Sequence, residues 1–168
     1  MQTVLKQLRA YGYRRIGFCT KSRELVGFAQ YCCAAYLLWQ QQTGNPRLPV
    51  HIAENTESNC PEHRDLFYQW LEKASPDVIV SNERQFLHWM EEANIEVPGQ
   101  IGFASLSADP NNRAIAGVDQ CMKTVGAAAM DVIIAHIYRN EYGLPESMKT
   151  VFINGVWQDG ESIRNQHS

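Results

Sequence analysis

The feature that most constrains this chain is a beat that recurs along it. A short apolar run meets a small polar cluster, and apolar residues at helical spacing follow. Asp77–Phe86, DVIVSNERQF, states it in full. Val78, Ile79 and Val80 are β-branched and do not alternate with polar residues, the pattern of a strand covered on both faces. Ser81-Asn82-Glu83 stops the run. Phe86, Leu87, Trp89 and Met90 then fall on one side of a helix.

The same beat organises the rest. Val4, Leu5 and Leu8 mark a short helix ending near Gly12, and Arg15–Cys19 reads as a strand. A long apolar helix runs from Leu25 to Gln42 and stops at Gly44-Asn45-Pro46. Leu48–Ala53 is the second strand. Pro61 opens the next helix, where its missing N–H costs nothing, and Leu66, Phe67, Trp70 and Leu71 form its expected buried stripe. Asp77–Val80, Gln100–Ser105, Ala114–Val118 and Thr150–Trp157 are further extended segments. Thr124–Tyr138 is a strong alanine-rich helix, and the polar tail after Trp157 is expected to fray. Strands alternating with helices predict an α/β fold: a doubly wound, mostly parallel sheet flanked by helices.

Composition narrows the function. With 15 Lys+Arg against 18 Asp+Glu the formal charge is −3, which argues against nucleic-acid binding by this chain alone. No window is long and apolar enough for a transmembrane helix, and the first residues do not read as a secretory signal, so a cytoplasmic location and no membrane partner are expected. Five cysteines without a CxxC pair argue for free thiols. Adjacent Cys32 and Cys33 cannot close an ordinary bridge on a helix.

Enzyme chemistry finds little support: GxSxG, GxGxxG after a strand and GxxxxGK[ST] are all missing. No enzyme and no cofactor are expected. Cys60-x-x-His63 with His51 supplies three metal donors where a closed zinc site needs four, so a surface helix start is the better reading and no metal is expected. His136, on an apolar helix, reads as a packed or rim histidine. Trp39 and Trp70 read as core. Trp89 with Phe86 and Met90 is either core or an exposed patch for a subunit contact.

The strand ends remain. Thr20-Lys21-Ser22-Arg23, Ser81-Asn82-Glu83 and Leu106-Ser107-Ala108-Asp109 each follow a strand, and all should line one edge of the sheet, where open α/β folds bind ligands. Serine and asparagine offer donors and acceptors to a hydroxyl-rich ligand. They also cap helices and loops, and the residues alone leave both readings open.

PDVIVSNERQFLHWMEEANIEVPGQIGFASL resembles a segment of the lactose-repressor (LacI/GalR) family of bacterial transcription regulators. That family runs P-x-A-hydrophobic-N-D, a helix, then G-hydrophobic-x-V-P-x-x-hydrophobic-x-V-hydrophobic-G-aromatic-D. Upstream, LRAYGYRRIGF is similar to its L-x-x-x-G-H-x-x-I-x-hydrophobic. Downstream, Ile115–Gln120 and Val125-Gly-Ala-Ala-Ala129 resemble its hydrophobic-T-hydrophobic-x-Q and hydrophobic-G-x-x-A. Order and spacing carry the likeness over nearly the whole chain.

The resemblance implies an effector-sensing domain with the fold of periplasmic sugar-binding proteins, of which residues 1–168 are one fragment. Residues 13–112 would be the core of its C-terminal lobe. Residues 1–12 and 113–145 would pack on a missing N-terminal lobe and would rearrange or pair with another chain, and 146–168 would be the return strand and tail. The implied partners are a small, sugar-like effector, DNA through a helix-turn-helix headpiece outside these residues, and a second copy in a homodimer. Ser22, Arg23, Asn82, Glu83, Ser107 and Asp109 are the expected effector-binding residues. Three positions depart from the family. Glu83 stands for its Asp, Ser105-Leu106-Ser107 for its Gly-aromatic-Asp, and Cys32 for the Arg common on the first long helix. The alternatives are a periplasmic-type solute-binding protein, or an oligomerisation module with a degenerate pocket.

Overall fold

A computed structural model describes residues 1–21, 27–44, 46–54, 61–143 and 147–167. The elements run α1 (Gln2–Ala10), β1 (Ile16–Lys21), α2 (Phe28–Thr43), β2 (His51–Ala53), α3 (Pro61–Ala74), β3 (Val78–Ser81), α4 (Arg84–Glu92), β4 (Gly102–Ser105), β5 (Ala116–Asp119), α5 (Met122–Tyr138) and β6 (Val156–Gln158). One six-stranded sheet has the order β2-β1-β3-β4-β5-β6. Its first five strands are parallel, and β6 joins the edge antiparallel. This is the α/β, mostly parallel sheet that the sequence predicts.

The period of two in each strand sorts the core into two layers. On one face Ile16, Phe18, Val78 and Val80 pack with Val4, Leu5 and Leu8 of α1 and with Cys32 and Tyr36 of α2. On the other, Cys19, Ile79 and Phe103 pack with Phe67, Trp70 and Leu71 of α3 and with Phe86, Trp89 and Met90 of α4. Trp70 reaches so close over Gly17 that a Cβ there would lie 2.6 Å from its ring. Its indole N–H donates to the Pro49 carbonyl, 2.7 Å away.

Four expectations change here. Phe86, Trp89 and Met90 are core, so α4 offers no exposed aromatic patch. Leu66 is 54% exposed: the buried stripe of α3 is Phe67, Trp70, Leu71 and Ala74, and Leu66 lies one residue off it. Residues 1–12 do not await a cover, because Val4, Leu5 and Leu8 are already fully buried on this sheet. The tail is docked. Ser162 Oγ donates to the Phe103 carbonyl (2.6 Å) and accepts from the Ala116 N–H (2.9 Å), and Ile163 is buried.

Helix α5 is different. None of its seventeen residues is buried. Met122, Val125, Met130, Ile133, Ile134 and Ile137 are exposed by 38–67%. Among the described residues, no helix is long and apolar enough to cross a membrane.

Candidate functional site

Because β1, β3, β4 and β5 are parallel, their carboxyl ends share one edge of the sheet. Cys19 stands beside Ser81, Ser81 beside Ser105, and Ser105 beside Gly117. The two serines do the same local job. Ser81 Oγ accepts the Glu83 N–H and Ser105 Oγ accepts the Ser107 N–H, each at 3.0 Å. Each hydroxyl turns its strand sharply into the following loop. The exits are then tied together: Leu106 N–H donates to the Ser81 carbonyl, and Gln120 Nε2 donates to the Leu106 carbonyl.

Between these fixed exits stand three groups with chemistry to offer. The Asn82 carboxamide oxygen is buried and has no hydrogen-bond partner among the described residues. Leaving such an acceptor unmet costs about 1–3 kcal/mol. Glu83 occupies the N-cap position of α4 in extended conformation, yet its side chain makes no cap bond. It meets Lys21 instead, at 2.9 Å, with both side chains mostly covered (14% and 17% exposed). The pair links the end of β1 to the end of β3.

Of the expected site residues, Asn82 and Glu83 come together. Ser107 is exposed at the exit of β4. Asp109 is exposed and engaged by its own loop: its Oδ1 accepts the Asn111 N–H, and its carbonyl accepts Gln158 Nε2. Ser22 and Arg23 lie outside the described residues. Lys21 was not among the expected residues. Its signal was available in register, since Cys19 pairs with Ser81 and two residues on Lys21 faces Glu83.

The metal-like histidine is a core group. His51 is buried against the rings of Phe67, Trp70 and Phe86, with centroids 5.5–5.6 Å away. Burial, with His63 nearby, pulls its pKa down to about 4, so it is a neutral imidazole at pH 7. Cys60 lies outside the described residues. Cys19 and Cys32 are free and buried, and burial raises both thiol pKa values, as for core fillers.

No protein-family model and no curated protein match the chain. Solved structures do. A LacI-family transcriptional regulator from Silicibacter pomeroyi superposes with a TM-score of 0.67 at 21% identity, over 95% of this chain and 49% of its own. A sugar-binding LacI-family regulator from Escherichia coli, complexed with phosphate, gives 0.69 at 16%, over 96% and 59%. One from Lactobacillus casei with bound sucrose gives 0.64 at 15%, over 94% and 60%.

The chain has the fold of LacI-family regulators. It spans about half to three-fifths of the length of these structures. In the LacI-type fold seen here, the tied exits, Asn82 and the Lys21–Glu83 pair stand at the carboxyl edge of the sheet, where open α/β folds take their ligands.

Proposed function

We propose that this chain is the effector-sensing and dimerisation part of a bacterial transcription regulator. A small, hydroxyl-rich, sugar-like effector binds at the carboxyl edge and controls DNA binding by a helix-turn-helix headpiece carried elsewhere in the polypeptide. The observation that carries this reading is the buried, unpartnered carboxamide oxygen of Asn82. A hydroxyl donor from a ligand would satisfy it. The likeness to regulators that hold sucrose or phosphate supports a ligand of this size and polarity. In this reading the chain binds rather than catalyses.

The exposed face of α5 packs against a second lobe, and the effector sits between the lobes. Closure on the effector shifts the population of two conformations and resets the spacing of two headpieces on DNA. The effector needs a differential affinity of about 1–3 kcal/mol between the two states to do this. Titration calorimetry of the full-length polypeptide with a panel of sugars and sugar phosphates should give one binder, weakened at least about tenfold by Asn82→Ala. A panel without binders, together with unchanged repression by Asn82→Ala, would overturn it.

Two observations favour a second reading, an oligomerisation module with a degenerate pocket. The Lys21–Glu83 pair satisfies itself, and no carboxylate follows β4 where the family carries one. That reading expects heatless titrations and a normal assembly state.

A further inference from the structure

The parallel strands have a second edge, the one at which they begin. There the loop before β1 and the loop before β3 border an open cleft of about 750 Å³, within the size range of small-molecule sites. Arg9, Arg14, Arg15 and His167 line it, together with Asp77. Three arginines less one aspartate leave the lining at +2 with the histidine neutral, while the whole chain is at −3.

Helix ends account for two of the arginines. Arg15 turns back to the end of α3: its Nε donates to the Ser75 carbonyl (2.6 Å) and its guanidinium also donates to the Ala74 carbonyl. Arg9 sits in the last turn of α1, where free carbonyls favour a cation. Arg14 has no such task. Its backbone N–H and that of Arg15 donate to Asp77 Oδ2 (2.7 and 2.9 Å), which ties the two loops together. Its side chain is exposed and has no partner among the described residues. The other carboxylate oxygen, Asp77 Oδ1, is buried and also has no hydrogen-bond partner among the described residues. Gly12, at φ +93°, lets the tail lie close against the loop: a Cβ there would stand 3.1 Å from the His167 ring.

We propose that this cleft is a second ligand site, for a small molecule that carries an oxyanion, phosphate or carboxylate, with a hydroxyl beside it. The Arg14 guanidinium offers the fork of donors that fits either oxyanion, and Arg9 and Arg15 add charge. The hydroxyl supplies the donor that Asp77 Oδ1 lacks. A neutral ligand would leave the surplus positive charge unmet, and an anion without a donor would leave Oδ1 unmet. The cleft lies at the opposite ends of β1 and β3 from Lys21 and Ser81, so it is separate from the effector edge and stands whether or not an effector binds there.

The test is an NMR titration of the full-length polypeptide with inorganic phosphate and, separately, with citrate, a hydroxyl-bearing carboxylate. One or both should shift the backbone amides of Arg14, Arg15 and Asp77 saturably, with a dissociation constant of about 1 mM, and the tighter of the two identifies the group the cleft prefers. Glu83 and Gln120 at the effector edge should stay unmoved, and a neutral sugar should leave the cleft amides where they are. Arg14→Gln should weaken binding about fivefold or more, while Arg84→Gln, at an exposed arginine beside the effector edge, should leave it unchanged. Arg14 is exposed and its backbone bond to Asp77 survives the change, so the variant should fold, which circular dichroism checks. No saturable response to either probe at these amides, or a response indifferent to Arg14→Gln, would overturn the proposal.

Discussion

Helices α1 and α5 make an instructive pair. Helix α1 has nine residues with Lys6 and Arg9 among them, and its three large aliphatic residues, Val4, Leu5 and Leu8, are fully buried. Helix α5 is nearly twice as long and richer in apolar residues, and buries none of them. Apolar patterning therefore states a need for cover without saying where the cover comes from. Helix α1 finds it in its own sheet, where it lies over β5 and β6. Helix α5 follows β5, and among the described residues nothing packs over its apolar face deeply enough to bury any of its side chains.

The contrast can be broken most sharply by truncation. Leu8→Ala should lower stability by about 2–5 kcal/mol through lost contacts and a residual cavity, whereas Ile133→Ala on α5 should change it by less than about 0.5 kcal/mol. Urea midpoints at a common slope measure both. An equal loss from the two would mean that α5 is covered within this chain.

Acid probes the covered side by a different route. His51 has a folded pKa of about 4, against an ordinary value of 6.5. The unfolded chain therefore takes the proton first. Its contribution to stability is complete above pH 6.5, declines as the pH falls, and is exhausted near pH 4, for a loss of about 3 kcal/mol. His51→Phe should flatten that part of the urea-midpoint profile. Ser162→Ala removes a donor and an acceptor from the buried tail and should lower stability by about 1–3 kcal/mol. The smallest effect is expected at the surface: Arg64→Ala breaks the ion pair with Glu92, whose side chains are 39% and 35% exposed, and should shift stability by at most about 1 kcal/mol.

Much of the fold could be read from the residues. Apolar runs without polar alternation located β1 and β3, of which only β3 is β-branched throughout its apolar part, because both faces of those strands are covered. Helical spacing located all five helices. Leu66 was misread because it lies one position, about 100° around the helix, from Phe67, too near the stripe for the pattern to exclude it. The docking of Gly160–Ile163 was not legible. Hydrogen bonds of Ser162 and the close approach of Gly160 to the Ala116 backbone hold it, rather than an apolar pattern. At the candidate site, Asn82 and Glu83 could be located because they end an obvious strand. Lys21 stands in the expected edge cluster Thr20–Arg23, but its pairing with Glu83 was not legible, because it depends on the register between β1 and β3. Asp109 looked like an edge residue by its place in the loop, but the chain turns back after Ala108, whose N–H donates to the Val118 carbonyl.

The central claim is that the carboxyl edge around Asn82 receives a hydroxyl-rich ligand. NMR of the full-length polypeptide tests it most directly, following the side-chain amide of Asn82 and the backbone amides of Glu83, Leu106 and Gln120 as each sugar or sugar phosphate is added. Binding at this edge predicts that these signals shift together and saturably, ahead of those on the opposite edge near Arg14 and Asp77. A saturable response confined to other surfaces, with the Asn82 amide unmoved, would contradict it.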